Sequence, residues 1–336
     1  MSREQEIVTG LISVIMPVHN SQAYLNEAIQ SILNQTYKKF EFIIINDGST
    51  DNSLEIIKKY REEDDRIILI NREKRGLIKS LNEGLSKTKG QYIARMDSDD
   101  ISLPHRFERQ FDYMESNQDI GVCGTWIKIF GDNINTKLGR PSNDDETLKT
   151  TLLFSVPFPH PSVMMRSNAI KGKYDYNLDY DSIEDYKLWL DMSKTTKFST
   201  VPEILLKYRL VLSSKSHVAE KDFYERFLST KKIFSEVVLS LGMINTDEED
   251  KIHFIMGFNE RIASNDLDID KVAKYLIKIL ESNLQKNIFH KKKLKRLLLK
   301  RYLVFIYFKI KILQFRFLIM LFSLKFWKNF FTLCMK

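Results

Sequence analysis

The chain has 336 residues, 43% hydrophobic and 29% charged, which allows a large core in one domain or two and argues against a disordered chain. Its formal charge of +8 is unevenly placed, because fourteen of the 52 Lys and Arg, and none of the 44 Asp and Glu, fall between Ser282 and Lys336. Residues 1–281 therefore carry 38 basic against 44 acidic side chains, which argues against a nucleic-acid-binding face on the body and turns the tail toward an anionic partner.

In chain order, "MSREQEIVTG" has no apolar signal core, and Cys123 and Cys334 form no Cys-x-x-Cys pair. A reducing, cytoplasmic setting without disulfides or structural zinc is expected. "LISVIMPVHN" (11–20) is an apolar run ending at Pro17, the pattern of a strand buried on both faces. "SQAYLNEAIQSILNQ" (21–35) spaces Ala23, Leu25, Ala28, Ile29, Ile32 and Leu33 as a helix does, with Ser21 placed to cap it. "FEFIIIN" (40–46) is a second buried strand, "DGSTDNS" a turn with a helix cap, and "LEIIKKYREE" a helix. "RIILIN" (66–71), a helix from about Gly76 to Lys87, and "GQYIARM" (90–96) continue the alternation. Such repetition predicts right-handed crossovers and a mostly parallel sheet, whose ligands sit at the carboxyl ends of the strands. His19, Asn20, Asp47, Gly48 and Asp97–Asp100 occupy those ends and should share one crevice.

Beyond about residue 115 the alternation weakens. "IGVCGTWIKIFG" (120–131) reads as a strand with a hairpin partner after it, and residues 148–170 as a short helix, a Pro-punctuated loop and a strand. "YDYNLDYDSIEDYKLWLDMSK" (174–194) runs from a loop into an amphipathic helix carrying Ile183, Tyr186, Trp189 and Leu190. "FSTVPEILLKYRL" (198–210) closes the strands, and residues 216–290 read as helices with an acidic break at "NTDEED".

"RMDSDD" (95–100) crowds three carboxylates into four positions at a strand's end. Like charges that close repel unless a cation or hydrogen bonds compensate them. Taken alone, this is an ordinary acidic turn; on the rim of a crevice shared by three strand ends, it is a ligand site.

Together, "SVIMPVHNSQAYLNEAIQSILNQTY", "EFIIINDGSTDNS", "RGLIKSLNEGLSKTKGQYIARMDSDD", "LPHRFERQ", "HPSVMMR" and "EDYKLWL" resemble the family 2 inverting glycosyltransferases of the GT-A fold, over roughly residues 11–212. The resemblance implies an α/β chain with a mostly parallel mixed sheet flanked by helices and a C-terminal helical extension. The chain is expected to hold a transferase domain (1–215, with a nucleotide-sugar half at about 11–115 and an acceptor half at 116–215), which carries the resemblance, then a helical extension (216–290) and a basic-aromatic tail (291–336) that the motifs do not cover.

The residue types suit that chemistry. A nucleotide-sugar donor brings a base, a ribose and a diphosphate whose charge must be neutralised. The resemblance gives Asp97, with Ser98 beside it, to the ribose and Asp99 to a Mn²⁺ or Mg²⁺ on the diphosphate, with Asp97 sharing the metal; hard cations take such oxygen ligands. It gives Asp47 to the nucleobase, Pro17, Val18, His19 and Asn20 to the pocket around base and ribose, and Glu27 and Arg75 to further donor-side contacts. Each has a bland alternative: a capping or turn role for Asp47, a surface helix position for Glu27, an exposed loop for Arg75. Asp185, with Glu184 as the fallback, matches the carboxylate base that takes the acceptor's proton, although acidic residues also favour helix N-termini by dipole alone. His160 in "HPSVMMR" matches the acceptor-side loop, where the alternative is a structural histidine. Val211 stands where many relatives carry a histidine after the Tyr-Arg pair, which leaves His217 as the remaining candidate third metal ligand.

The expected activity is transfer of a sugar from a nucleotide diphosphate donor, with UDP the expected nucleotide, to a glycan or lipid-linked acceptor. The rivals are a sugar-phosphate nucleotidyltransferase and a non-catalytic membrane-bound scaffold. "MPVHNSQAYL" has no Gly, Lys or Arg to hold a triphosphate, which counts against the first. The tail's uncharged stretches are far shorter than the roughly 20 residues needed to span a bilayer. Its cations scatter around a helical wheel, so several short helices or a bent one are expected to lie on an anionic membrane surface. The alternative is a helical subdomain packed on the core or in a homodimer.

Overall fold

Continuous apolar runs make the first half of the sheet. In the computed structural model, which describes residues 7–131, 135–211, 223–258, 267–313, 327–328 and 330–332, β1 (Val8–Val18), β2 (Phe40–Asp47), β3 (Ile67–Arg72) and β4 (Gly90–Arg95) are mutually parallel in the order β3-β2-β1-β4. Every residue of β2 is buried, as expected for a strand with neighbours on both edges and helices on its faces. The intervening helices α1 (Leu25–Leu33), α2 (Ser53–Glu63) and α3 (Leu77–Lys87) turn their apolar stripes inward. On α3 the stripe includes Gly84, where an added Cβ would lie 2.6 Å from Ile15 Cγ2.

Past β4 the pairing turns mixed. The remaining strands are β5 (Ile101–Ser102), β6 (Ile120–Phe130), β7 (Lys137–Gly139), β8 (Met164–Arg166) and β9 (Lys197–Arg209), and the sheet continues β4-β8-β6-β9-β5 with β7 on β6. Among the described residues β6–β9 is the parallel pair here, and the others are antiparallel. The expected hairpin after residue 131 is the β6–β7 pair. Helix α4 (Arg106–Ser116) explains "LPHRFERQ": its Arg106, fully buried, donates to the carbonyls of Arg95 (2.9 Å) and Val163 (3.2 Å), and Gln110 donates to those of Cys123 (2.7 Å) and Ser162 (3.0 Å). These two side chains fasten the end of β4 to β6 and to the turn His160–Ser162. Burial lowers the Arg106 pKa to about 9. Helices α5 (Asp145–Thr151), α6 (Ser167–Ile170) and α7 (Glu184–Met192) complete this half. On α7 Leu188, not Leu190, is the buried leucine beside Tyr186 and Trp189.

Packing divides the chain into two compact units, Met1–Leu148 with Pro157–Lys221, and Lys149–Val156 with Asp222–Lys336. The second unit is helical, with α8 (Phe223–Ser240), α9 (Asp247–Gly257), α10 (Ile269–Lys286) and α11 (Lys291–Leu313). "NTDEED" closes the expected break between α8 and α9 and opens α9: Thr246 and Glu249 form a capping box, and the acids occupy the dipole's positive end. Buried His253 joins Tyr275 Oη (2.5 Å) to the Leu153 carbonyl (2.6 Å), which brings Lys149–Val156 into this unit, and burial lowers its pKa to about 4. Helix α11 is one 23-residue helix over the first half of the tail, with Leu294, Leu298, Tyr302 and Phe305 buried, and most of the tail beyond Leu313, for which several short helices or a bent one were expected, lies outside the described residues. The division expected at residue 290 falls inside this unit.

Gly84→Val places branched carbons where Ile15 already sits, and overpacking of this kind costs about 1–3 kcal/mol. We expect a lowered urea midpoint for the first unit; an unchanged midpoint would show that α3 does not pack this closely on β1.

Candidate active site

The carboxyl ends of β1, β2 and β4 meet through a chain of hydrogen bonds. Pro17 and Val18, buried, end β1 in register with Ile45 and Asn46. His19 Nδ1 lies 2.9 Å from the Asp47 carbonyl oxygen. Asn20, at φ 51°, accepts the Thr50 N–H at 2.8 Å and donates its own N–H to Ser49 Oγ at 3.0 Å. Ser21 does not cap α1, which starts at Leu25; its Oγ lies 2.7 Å from Ser98 Oγ and ties the β1 loop to the acidic turn.

Asp47 accepts three hydrogen bonds, two on Oδ1 and one on Oδ2. Oδ1 accepts the Arg75 N–H (2.7 Å) and pairs with the Arg72 guanidinium, and Oδ2 accepts the Gly76 N–H (2.8 Å). Burial alone would raise its pKa, but the two N–H groups and Arg72 outweigh burial and hold it below the usual carboxylate value. Gly48 follows at φ 65°, where a Cβ would lie 2.5 Å from Lys74 N, so the turn admits only glycine. Arg75 thus contributes its backbone to Asp47 while its side chain is exposed. Arg72, in register with Asp47 on the neighbouring strand and also bonded to Glu83, was not singled out in the sequence.

At the tip of β4 one carboxylate oxygen each from Asp97, Asp99 and Asp100 lies within 4.8 Å of the others. Asp97 pairs with Arg95, which is buried; burial opposes the guanidinium's charge, and Asp97 more than restores it. Burial and the Asp97 charge raise Asp99 to about 6. Asp100, 1% exposed, is raised by burial and by both neighbours. Its Oδ1 accepts the Arg209 N–H at 2.7 Å, and its Oδ2 is buried without a hydrogen bond. Three hard oxygens and an orphaned buried carboxylate oxygen suit a divalent cation of the Mg²⁺ or Mn²⁺ kind. Asp100 thus joins Asp97 and Asp99, where the sequence reading used only those two. His217 lies outside the described residues.

Arg209, at the end of β9, was also missed. Besides its N–H bond to Asp100 it donates Nε to the Asp99 carbonyl (2.8 Å), pairs with Glu27, and stacks on Tyr24 and Phe130 at 4.5 and 4.4 Å. Glu27 therefore reaches the acidic turn through this guanidinium.

Tyr176 connects the acids to α7. Its Oη is 2.7 Å from His160 Nε2, and His160 packs its ring on Trp189. Burial, then Asp185, Glu184 and Asp97, raise the Tyr176 pKa, and Arg95 opposes them; one hydroxyl thus feels both acidic groups. Burial and Arg95 hold His160 far below its ordinary pKa, so it is neutral at pH 7. Glu184 is buried in the first turn of α7; Asp185, half-buried, accepts the Tyr186 N–H at 2.7 Å. A separate cavity of about 250 Å³, lined by Asp119, Arg166 and Thr196 among others, lies at the amino ends of β6 and β9 and contains none of these residues. Arg166 there is occupied by the Ile120 carbonyl (2.8 Å) and the Tyr92 hydroxyl (2.8 Å), a structural role.

Residues 13–172 match the family model described as Glycosyl transferase family 2. The chain is 36% identical over 249 residues to an uncharacterized glycosyltransferase of Haemophilus influenzae, covering 70% of this chain and 76% of that protein. It is 37% identical over 209 residues to the O-antigen biosynthesis glycosyltransferase WbnJ of Escherichia coli, covering 60% and 81%. The crystal structure of S. aureus TarS 1-349 in complex with UDP superposes with a TM-score of 0.55 at 17% identity, over 96% of this chain and 89% of that one, a likeness of fold.

The acid cluster has a stability signature. Because the folded pKa of Asp99 is raised to about 6 from 3.8, its contribution to stability is lost as pH rises through about 6. In EDTA at about pH 7.5, Asp99→Asn should therefore be more stable than wild type by about 1–3 kcal/mol, and the difference should shrink toward zero near pH 4. Thermal unfolding measures it; a variant less stable at pH 7.5 would contradict the repulsion.

Proposed function

The chain belongs to glycosyl transferase family 2, and on that premise we propose that it moves one sugar, with inversion, from a UDP-linked donor to a glycan or lipid-linked acceptor of a surface polysaccharide. The observation that carries the reading is the Asp97–Asp99–Asp100 cluster, whose Asp97 acts electrostatically on the Tyr176 hydroxyl together with the Glu184–Asp185 pair. Donor and acceptor chemistry need acids of these two kinds side by side. In this reading 1–215 is the catalytic domain, with 216–290 as its helical extension and 291–336 as its tail.

Pro17, Val18, His19 and Asn20 border the base and ribose, with Asp47 at the nucleobase. The Arg72 pair keeps Asp47 ionised, so it stands as an acceptor for a base N–H. Arg75, exposed beside Gly76, reaches toward the diphosphate, and Ser98 and Asp97 toward the ribose. Asp99 and Asp100, with Asp97 shared, would hold Mn²⁺ or Mg²⁺, which as a Lewis acid neutralises charge building on a leaving diphosphate. Glu27 and Arg209 hold the acidic turn in place.

On the acceptor side, Asp185 takes the hydroxyl proton as the acceptor oxygen bonds to the anomeric carbon. The bond from that carbon to the diphosphate oxygen breaks, and its electron pair leaves with UDP. Neutral His160 and Tyr176 orient the acceptor without competing for the proton. We also place the protein on the cytoplasmic face of a membrane, held to anionic lipid by residues 291–336. No helix among the described residues is long and apolar enough to cross a membrane.

Asp185→Asn keeps size but removes the proton acceptor, and general-base catalysis contributes about 10²–10⁴-fold. Turnover should fall by that order while UDP affinity stays within about twofold of wild type. Initial rates at saturating donor, with Glu184→Gln as the comparison, test this. A normal rate in Asp185→Asn with a collapsed rate in Glu184→Gln moves the base to Glu184; normal rates in both remove the pair from the mechanism.

A further inference from the structure

Helix α11 exposes Lys292, Arg296, Lys300, Leu303 and Tyr307, spaced 4, 4, 3 and 4 apart. At 3.6 residues per turn these five fall within an arc of about 80° and run about 22 Å along the axis. The opposite side is the packed one, formed by Leu294, Leu298, Tyr302, Phe305 and Ile306. The exposed stripe changes character along its length. Its first half is three cations; its second half is Leu303, 46% exposed, and Tyr307, 61% exposed.

The cationic half suits an anionic surface and the Leu303–Tyr307 half an apolar one. Lys291, Lys292, Lys295 and Arg296 crowd the first turns, where the helix dipole is positive, and the first turn of this helix contains no acidic residue. Helix α9 in the same unit does the reverse, with a Thr246 cap and four acids in its first turn. Anions placed against the start of α11 would offset both the dipole and the mutual repulsion. Leu303 and Tyr307 continue the same stripe, so the fitting surface is anionic and turns apolar within about 10 Å, the distance a helix covers in some seven residues.

We propose that this stripe is the face of the protein that lies on a bilayer, with Lys292, Arg296 and Lys300 at anionic headgroups and Leu303 and Tyr307 entering the interface. The helix therefore meets the membrane tilted, its carboxyl end deeper. A lipid surface supplies phosphate and hydrocarbon in that order; a nucleic acid or other polyanion would leave Leu303 and Tyr307 in water. The inference rests on the membrane reading given above and assigns it to a surface within the described residues, apart from the chain beyond Leu313.

Sedimentation of the full chain with vesicles of phosphatidylcholine containing 30% phosphatidylglycerol tests it. Three variants are compared with wild type: Lys292→Ala/Arg296→Ala/Lys300→Ala; Leu303→Ser/Tyr307→Ser; and a control of equal charge change on the first unit, Lys38→Ala/Lys59→Ala/Lys87→Ala. Circular dichroism checks the fold of each. Each surface cation is worth roughly fivefold in binding to anionic lipid, so the first variant should bind about a hundredfold more weakly. The second should lose about tenfold, and the control should match wild type. If wild type does not bind, the membrane reading itself fails. If wild type binds and the first variant matches the control, that reading survives and this face is not the one used. Heparin binding equal to vesicle binding, with no loss in Leu303→Ser/Tyr307→Ser, would make the partner a soluble polyanion and overturn the bilayer assignment.

Discussion

Three carboxylates at the tip of one strand repel one another, and much of this site is arranged around that repulsion. Arg95, buried in β4, answers Asp97. Arg209 comes from the far end of the sheet to bind Asp99 and Asp100 through its backbone and guanidinium. Arg106 holds the carbonyl of Arg95 so that the strand end keeps its place. Even so, Asp99 and Asp100 retain raised pKa values, and one oxygen of Asp100 has no hydrogen bond. The protein's own groups stop short of neutralising the cluster, which leaves a strong preference for a doubly charged cation.

The second acidic group sits at a helix start and is buffered differently. Glu184 and Asp185 stand in the first turn of α7, where the dipole favours negative charge. Tyr176, whose hydroxyl lies 2.7 Å from His160 Nε2, feels charge from both groups, and burial keeps His160 neutral at pH 7.

The parallel half of the sheet was legible because buried strands read as unbroken apolar runs and their helices repeat every three or four residues, as β2 and α3 illustrate. Asp47, Asp97 and Asp99 were legible because a polar residue closing such a run must sit at a strand's end. The partners were not. Asp47–Arg72 depends on the β2–β3 register, and Glu27–Arg209 spans 182 positions, so no local pattern announces either. Strands of two or three residues, such as β5 and β8, are too short to show a period. Ser21 looked like a cap because it precedes a helical run, yet its hydroxyl is held by Ser98 and the helix starts later. "NTDEED" was legible as the break between two helices, but its acids also start the second of them, since such charge favours a helix N-terminus.

The central claim is that the DSDD turn is half of a site that a cation and a nucleoside diphosphate complete together. Calorimetric titration of UDP into the full chain, with Mn²⁺ and with EDTA, measures this most directly, with Asp99→Asn as the comparison. The account predicts that Mn²⁺ tightens UDP binding to wild type by on the order of tenfold or more and leaves the variant's affinity unchanged. Equal UDP affinity in wild type with and without the metal would contradict it and return the turn to an acidic loop held by its arginines.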